Sequence, residues 1–151
     1  MVLSKDQVRA ALFPPPVLDY SSAEDEISMD AIFIAAVFIR KKFPQNPVLI
    51  DGRTFLRSAQ VHDLLALAAS LEETPRIIEC VCSEAVARSR LKHDLASGQH
   101  PAKNRDFALY QAVKARAEAI TVPHLVLDTG EMTLEECMQR SLGYLRNSSS
   151  R

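Results

Sequence analysis

The sequence predicts an α/β protein: a parallel sheet with helices on both faces. Three observations lead there. Four short apolar runs, Leu3-Ser4, Pro47–Asp51, Ile77–Cys82 and His124–Asp128, are spaced along the chain and read as strands. Segments with helical periodicity separate them, several opening on a capping signature. Strands that alternate with helices build parallel sheets. At 151 residues the chain is long enough for one domain, expected over residues 1–146, with residues 147–151 a polar, disordered tail.

The elements follow in order. Leu3-Ser4 ends the first strand. Ser4 and Gln7 form a Ser-x-x-Gln capping box that opens a short helix through about Leu12. Pro14-Pro15-Pro16 stops that helix and imposes an extended loop. Ser21 and Glu24 open a long helix to about Lys42, with Ile27, Ile34 and Phe38 among its apolar positions. Its acids Glu24, Asp25 and Glu26 and its bases Arg40, Lys41 and Lys42 match the helix dipole. Val48–Asp51 is uninterrupted and apolar, the pattern of a strand buried on both faces. Residues 58–71 are helical, with Val61, Leu64, Leu65 and Ala68 along one side. Ile77–Cys82 is the next buried strand, and Ser83 caps a helix to about Ala96. Gly98-Gln99-His100-Pro101 breaks the pattern, residues 105–118 resume it, and Leu125–Leu127 is the last strand. Thr133-Leu134-Glu135-Glu136 is a third capping box before the final helix.

Composition excludes several classes. With 18 basic and 19 acidic residues the net charge is −1, which gives no general attraction to nucleic acid or membrane. The charge is unevenly spread: residues 1–30 hold two bases and six acids, whereas residues 84–118 hold seven bases and four acids. No apolar run reaches the ~18 residues of a membrane span, and no signal peptide is visible, so a cytoplasmic protein is expected. Cys80, Cys82 and Cys137 are expected to be buried thiols in a reducing compartment. His62, His93, His100 and His124 share no ligand spacing. Neither Gly-x-Ser-x-Gly nor His-Glu-x-x-His occurs. Phe107 and Tyr110 are the aromatics near the basic segment, a weak basis for nucleic-acid binding.

Parallel sheets place ligands beyond the carboxyl ends of their strands. Asp6, Asp51-Gly52-Arg53, Ser83 and Asp128 all fall at or just past such ends. Phosphoryl transfer needs a phosphate cradle, cations, and a group that orients the acceptor. The cradle, Gly-x-x-x-x-Gly-Lys-[Ser/Thr], is absent: none of Gly52, Gly98, Gly130 and Gly143 fits it, nor do they form Gly-x-Gly-x-x-Gly.

In combination, Leu3–Arg9, Pro47–Arg53, Arg76–Ser83 with the Arg-rich helix behind it, and His124–Asp128 resemble the small bacterial P-loop kinases near the zeta-toxin and polynucleotide 5′-kinase types. The resemblance implies a sheet of order 2-3-1-4-5 whose first, central strand and phosphate-loop helix are missing here. That strand would lie between Val48–Ile50 and Ile77–Val81. It also implies roles. Asp6 would be general base toward the acceptor hydroxyl and Arg9 would hold acceptor or phosphate. Asp51 would bind Mg²⁺ through water, as a Walker-B acid does, and Arg53 would meet substrate. Arg90, flanked by Arg88 and Lys92, and Arg105, near Lys114 and Arg116, would contact phosphate from a lid. The implied activity is ATP-dependent transfer to a hydroxyl of a small molecule or nucleic-acid 5′ end. Because the cradle is absent, the chain by itself is expected to be inactive. ATP and Mg²⁺ are thus cofactors by resemblance. Alternatives are an anion-binding or interaction protein, one half of a split kinase completed by a P-loop chain, or a homodimer. The plain alternatives are also open: Asp6 as a dipole-stabilising acid, Asp51-Gly52 as a turn, and the arginines as surface charge.

Overall fold

The computed structural model describes residues 1–52, 55–97 and 106–146. The elements are β1 (Val2–Ser4), α1 (Lys5–Leu12), α2 (Ser22–Lys42), β2 (Leu49–Asp51), α3 (Ser58–Ala69), β3 (Ile78–Val81), α4 (Glu84–Ser97), α5 (Phe107–Lys114), β4 (Leu125–Asp128) and α6 (Leu134–Arg146). The α/β class and the element order are those expected from the sequence.

Capping chemistry sets most helix starts. The Ser21 hydroxyl accepts from the Glu24 amide at 3.3 Å. The Thr133–Glu136 box closes in both directions: the Thr133 amide donates to the Glu136 carboxylate at 2.7 Å and the Glu136 amide to the Thr133 hydroxyl at 3.2 Å. These bonds hold the Glu136 carboxyl below its ordinary pKa. Ser4 occupies the N-cap of α1, but its side chain makes no cap bond. Helix α5 starts at Phe107, where the Asp106 carboxylate caps it by accepting from the Leu109 amide at 2.7 Å, and ends at Lys114, four residues short of the expected Glu118.

The strands form two separate two-stranded parallel sheets, β1-β2 and β3-β4. In the first, Val2, Leu3 and Ser4 lie opposite Leu49, Ile50 and Asp51; in the second, Ile78–Val81 lies opposite Leu125–Asp128. Among the described residues, β2 and β3 are not bonded to each other. Helix α1 packs on α2, α4 on α5, and α6 on β4. Side-chain and backbone bonds tie the two regions together. Arg40 Nε donates to Glu73 at 2.9 Å. The Ser58 amide donates to the Glu118 carboxylate at 2.7 Å, and the Glu118 amide to the Leu56 carbonyl.

The core is small. Among the described residues, Met29, Ile32 and Ala36 of α2, Val61 and Ala68 of α3, Ala87 of α4 and Leu127 of β4 are its buried apolar residues. Three are alanines, which add little transfer free energy beside the ~1.5–3 kcal/mol of a buried Ile or Met. The structure corrects three sequence expectations. Ile27, Ile34 and Phe38 are exposed, because α2 is apolar on two faces and buries the one bearing Met29, Ile32 and Ala36. Leu49 is half exposed rather than buried on both sides, since among the described residues β2 pairs only with β1 in a two-stranded sheet. Cys80 is exposed and Cys82 and Cys137 only partly buried.

Candidate active site at the strand ends

Parallel pairing brings the carboxyl ends of β1 and β2 together. Ser4 lies opposite Asp51, so the residues that follow each strand share one rim. Gly52 turns the chain at φ +93°, a conformation that favours glycine. A Cβ there would sit 3.3 Å from Lys5 Cβ and 3.8 Å from the Asp6 amide nitrogen, so this turn lies against the first turn of α1. Asp51 and Asp6, both expected at the site, are thereby placed on the same rim.

Asp6 does not stand alone. Arg9 is only 6% exposed, and its guanidinium donates to the Oδ1 atoms of both Asp6 and Asp25. Lys5 Nζ reaches the same Asp25 oxygen at 2.9 Å. The Arg9 guanidinium carbon lies 4.9 Å from the Tyr20 ring centroid, a cation–π contact. Tyr20 holds φ +58°, a strained conformation for a residue with a side chain. The buried Glu24 carboxylate stabilises that turn by accepting from the amides of Asp19 at 2.9 Å and Tyr20 at 2.8 Å. The cluster is therefore two cations against two carboxylates. The sequence expectation gives Arg9 a direct role toward acceptor or phosphate. In the structure its guanidinium is engaged by Asp6, Asp25 and Tyr20, a geometry that orients Asp6. Asp25, Lys5 and Tyr20 were not singled out by sequence reasoning. Asp25 and Tyr20 lie 16 and 11 residues from Arg9, beyond any local pattern, and Asp25 reads equally well as a dipole acid.

The other sheet forms a second rim. Arg90 Nη1 donates to Thr129 Oγ1 at 2.9 Å and Nη2 to the Thr129 carbonyl at 2.6 Å. Thr129 Oγ1 in turn donates to the Val81 carbonyl at 3.0 Å, so Arg90 is docked at the carboxyl ends of β3 and β4. Asp128 Oδ1 accepts from the Gly130 amide at 2.8 Å and shapes this turn. Arg88 lies over the Phe107 ring at 3.6 Å, Phe107 stacks on Tyr110 at 5.5 Å, and Lys114 lies 5.6 Å over Tyr110. That ladder ties α4 to α5. Lys92 is exposed. Arg53 and Arg105 lie outside the described residues, as does the expected tail, residues 147–151.

Other chemistries find little support. Among the described residues no group of three or more His, Cys, Asp or Glu could hold a metal ion. Asp51 offers a single exposed carboxylate, which matches Mg²⁺ only alongside phosphates and water. This sequence holds no Gly-x-x-x-x-Gly-Lys-[Ser/Thr] loop, the backbone cradle by which P-loop proteins hold ATP phosphates. Partial burial, with Cys137 and Glu79 nearby, pushes the Cys80 thiol up, away from the thiolate a nucleophile needs. His124 is held structurally: its Nδ1 donates to the Val122 carbonyl at 2.7 Å, and its Nε2 lies 3.3 Å from a Glu79 carboxylate oxygen. No described helix is long and apolar enough to cross a membrane.

The fold has a relative among solved structures. The crystal structure of a "putative kinase" from Chloroflexus aurantiacus J-10-fl superposes with a TM-score of 0.66 at 21% identity, covering 95% of this chain and 83% of that one. No protein-family model matches the sequence, and no curated protein does. At this identity the likeness is one of fold: the chain has a kinase-like α/β architecture.

Proposed function

We propose that this chain carries the acceptor side and lid of an ATP-dependent phosphotransferase of the P-loop kinase type. The observation that supports it most is the shared rim of β1 and β2, where Asp51 ends one strand and Asp6 follows the other. That β2 and β3 are not bonded to each other among the described residues supports the same reading: one parallel strand between them would join both pairs into a single sheet of the kinase order.

In this reading Asp6 takes the proton of the acceptor hydroxyl as general base. Arg9 fixes the carboxylate by holding Oδ1, and Asp25 fixes Arg9. Asp51 faces the metal side of the phosphates. Arg90 leaves Thr129 to meet developing phosphoryl charge, as its planar fork suits. The acceptor is a hydroxyl of a small molecule or of a nucleic-acid 5′ end.

The test is a phosphoryl-transfer assay on the chain alone and on the chain extended ahead of Met1 by a strand, a Gly-x-x-x-x-Gly-Lys-Ser loop and a helix. ATP hydrolysis or transfer is expected only from the extended protein, with Asp6→Asn lowering it by about 10²–10⁴-fold, the usual contribution of a general base. A folded extended protein that neither binds ATP nor responds to Asp6→Asn sinks the proposal.

A further inference from the structure

The longest helix leaves a large apolar stripe uncovered. Helix α2 packs on α1 and β1, and the face it buries carries Glu24, Ser28, Met29, Ile32 and Ala36. Ile27, Ile34 and Phe38 lie outside that face and are 52%, 72% and 60% exposed. With Ala31 between them they recur at spacings of four, three and four residues. That 3.5-residue period is the seam of two helices wound together, narrower than the stripe a helix lays on its own core. Exposed apolar stripes of this kind mark sites of association. The two ends of α2 carry opposite charge, with Glu24, Asp25 and Glu26 at its start and Arg40, Lys41 and Lys42 at its end. Glu24, Asp25 and Arg40 are bonded within the chain. Glu26 and Lys41 are exposed and, among the described residues, have no ion-pair partner. Lys42 flanks the stripe, its Nζ 5.5 Å from the Phe38 ring centroid, as lysines at the margin of a helical seam do.

We propose that α2 is the contact helix of a reversible homodimer, paired antiparallel with α2 of a second copy along the seam of Ile27, Ala31, Ile34 and Phe38. The occupant is a second copy because the stripe complements itself. With a twofold axis between Ala31 and Ile34, Ile27 lies opposite Phe38 of the second copy, and the small Ala31 lies opposite its Ile34. The same axis brings Glu26 within two residues, about 3 Å of helix, of the level of Lys41 of the second copy. Every such contact is made twice, once on each side of the axis. Parallel pairing would instead set three acids against three acids and three bases against three bases, with the helix dipoles aligned. The three large side chains give a contact smaller than the ~800 Å² per partner of a standard interface, so the dimer is weak, with a dissociation constant of about 10–100 μM. The pairing does not depend on the kinase reading.

The test is sedimentation velocity of the whole chain from about 1 to about 500 μM, a range that brackets that constant. A monomer–dimer equilibrium is expected. Ile34→Glu puts a carboxylate into the seam from each copy, and because it enters twice it raises the dissociation constant by about a hundredfold. Glu26→Lys and Lys41→Glu each raise it by about three- to fivefold at low salt, an effect that added salt removes. The double variant Glu26→Lys/Lys41→Glu returns it to the original value. Within one chain these two residues are fifteen positions apart, about 22 Å along α2, so the recovery reports a contact between copies running in opposite directions. Leu142→Glu, at an exposed apolar position of α6, leaves the equilibrium unchanged. All the substituted positions are exposed, and unaltered circular dichroism of each variant confirms folding. A chain that stays monomeric over the whole range overturns the proposal. So does a dimer that Ile34→Glu leaves intact, since its contact then lies elsewhere. A double variant that associates no better than the single ones overturns the antiparallel pairing.

Discussion

The two strand pairs hold their helices by opposite means. Around β1 and β2 the contacts are ionic and specific: Lys5, Asp6, Arg9 and Asp25 interlock beneath Tyr20, and Glu24 fixes the preceding turn. Around β3 and β4 they are looser, a docked Arg90 and a ladder of Arg88, Phe107, Tyr110 and Lys114, beside an α6 whose apolar stripe is bare. A closed charge cluster resists rearrangement, because each member left alone is a poorly solvated charge. Exposed cation–π and arginine contacts exchange at low cost. The first region thus holds Asp6 in a closed charge cluster, whereas the second holds its arginines by contacts that are individually weaker.

Breaking the first region should have the larger effects. Arg9→Met strands Asp6 and Asp25. The expected loss is about 2–4 kcal/mol in urea unfolding, toward the low end of what a broken buried pair costs because Asp25 is 40% exposed. Glu24→Ala leaves the amides of Asp19 and Tyr20 without their acceptor. It should cost about 1–3 kcal/mol and loosen the loop ahead of α2. An equal loss from Arg88→Ala, in the same unfolding experiment, would erase the contrast between the regions.

The second region should answer more locally. Arg90→Ala is expected to shift the unfolding midpoint little, by about 0.5–1.5 kcal/mol, while speeding amide exchange at Thr129–Glu131. The smallest effect is a pH dependence where the regions meet. The Ser58 amide and, behind it, the Arg57 charge hold the Glu118 carboxyl below its ordinary value of 4.5. A depressed carboxylate adds stability above its unfolded pKa that is lost as pH falls through the folded one. The Ser58 amide resonance should therefore hold steady from neutral pH to about 5 and move as the pH drops below 4.5. A titration midpoint at or above 4.5 would remove this tie.

Much of the fold was legible because it is written locally. Thr133 with Glu136, Ser21 with Glu24, and the apolar runs ending at Asp51 and Asp128 each carry their signal within a few residues. The faces were less legible. Helix α2 offers Ile27, Ile34 and Phe38 on one side and Met29, Ile32 and Ala36 on another, and periodicity alone does not choose between them. The candidate site divided the same way. Asp6 and Asp51 follow from their place at strand ends, whereas Asp25 enters only because a loop brings α2 against α1.

Gly52 gives the molecule an unusual pattern of mutational tolerance. It lies in a turn beside a strand end, the kind of position where substitutions are ordinarily absorbed. Here its positive φ disfavours any other residue, and an added methyl group would press on Lys5, whose ammonium helps to anchor Asp25. In a saturation library, position 52 should therefore be as intolerant as a core position, and its surviving variants should carry changes at Lys5 or Asp25.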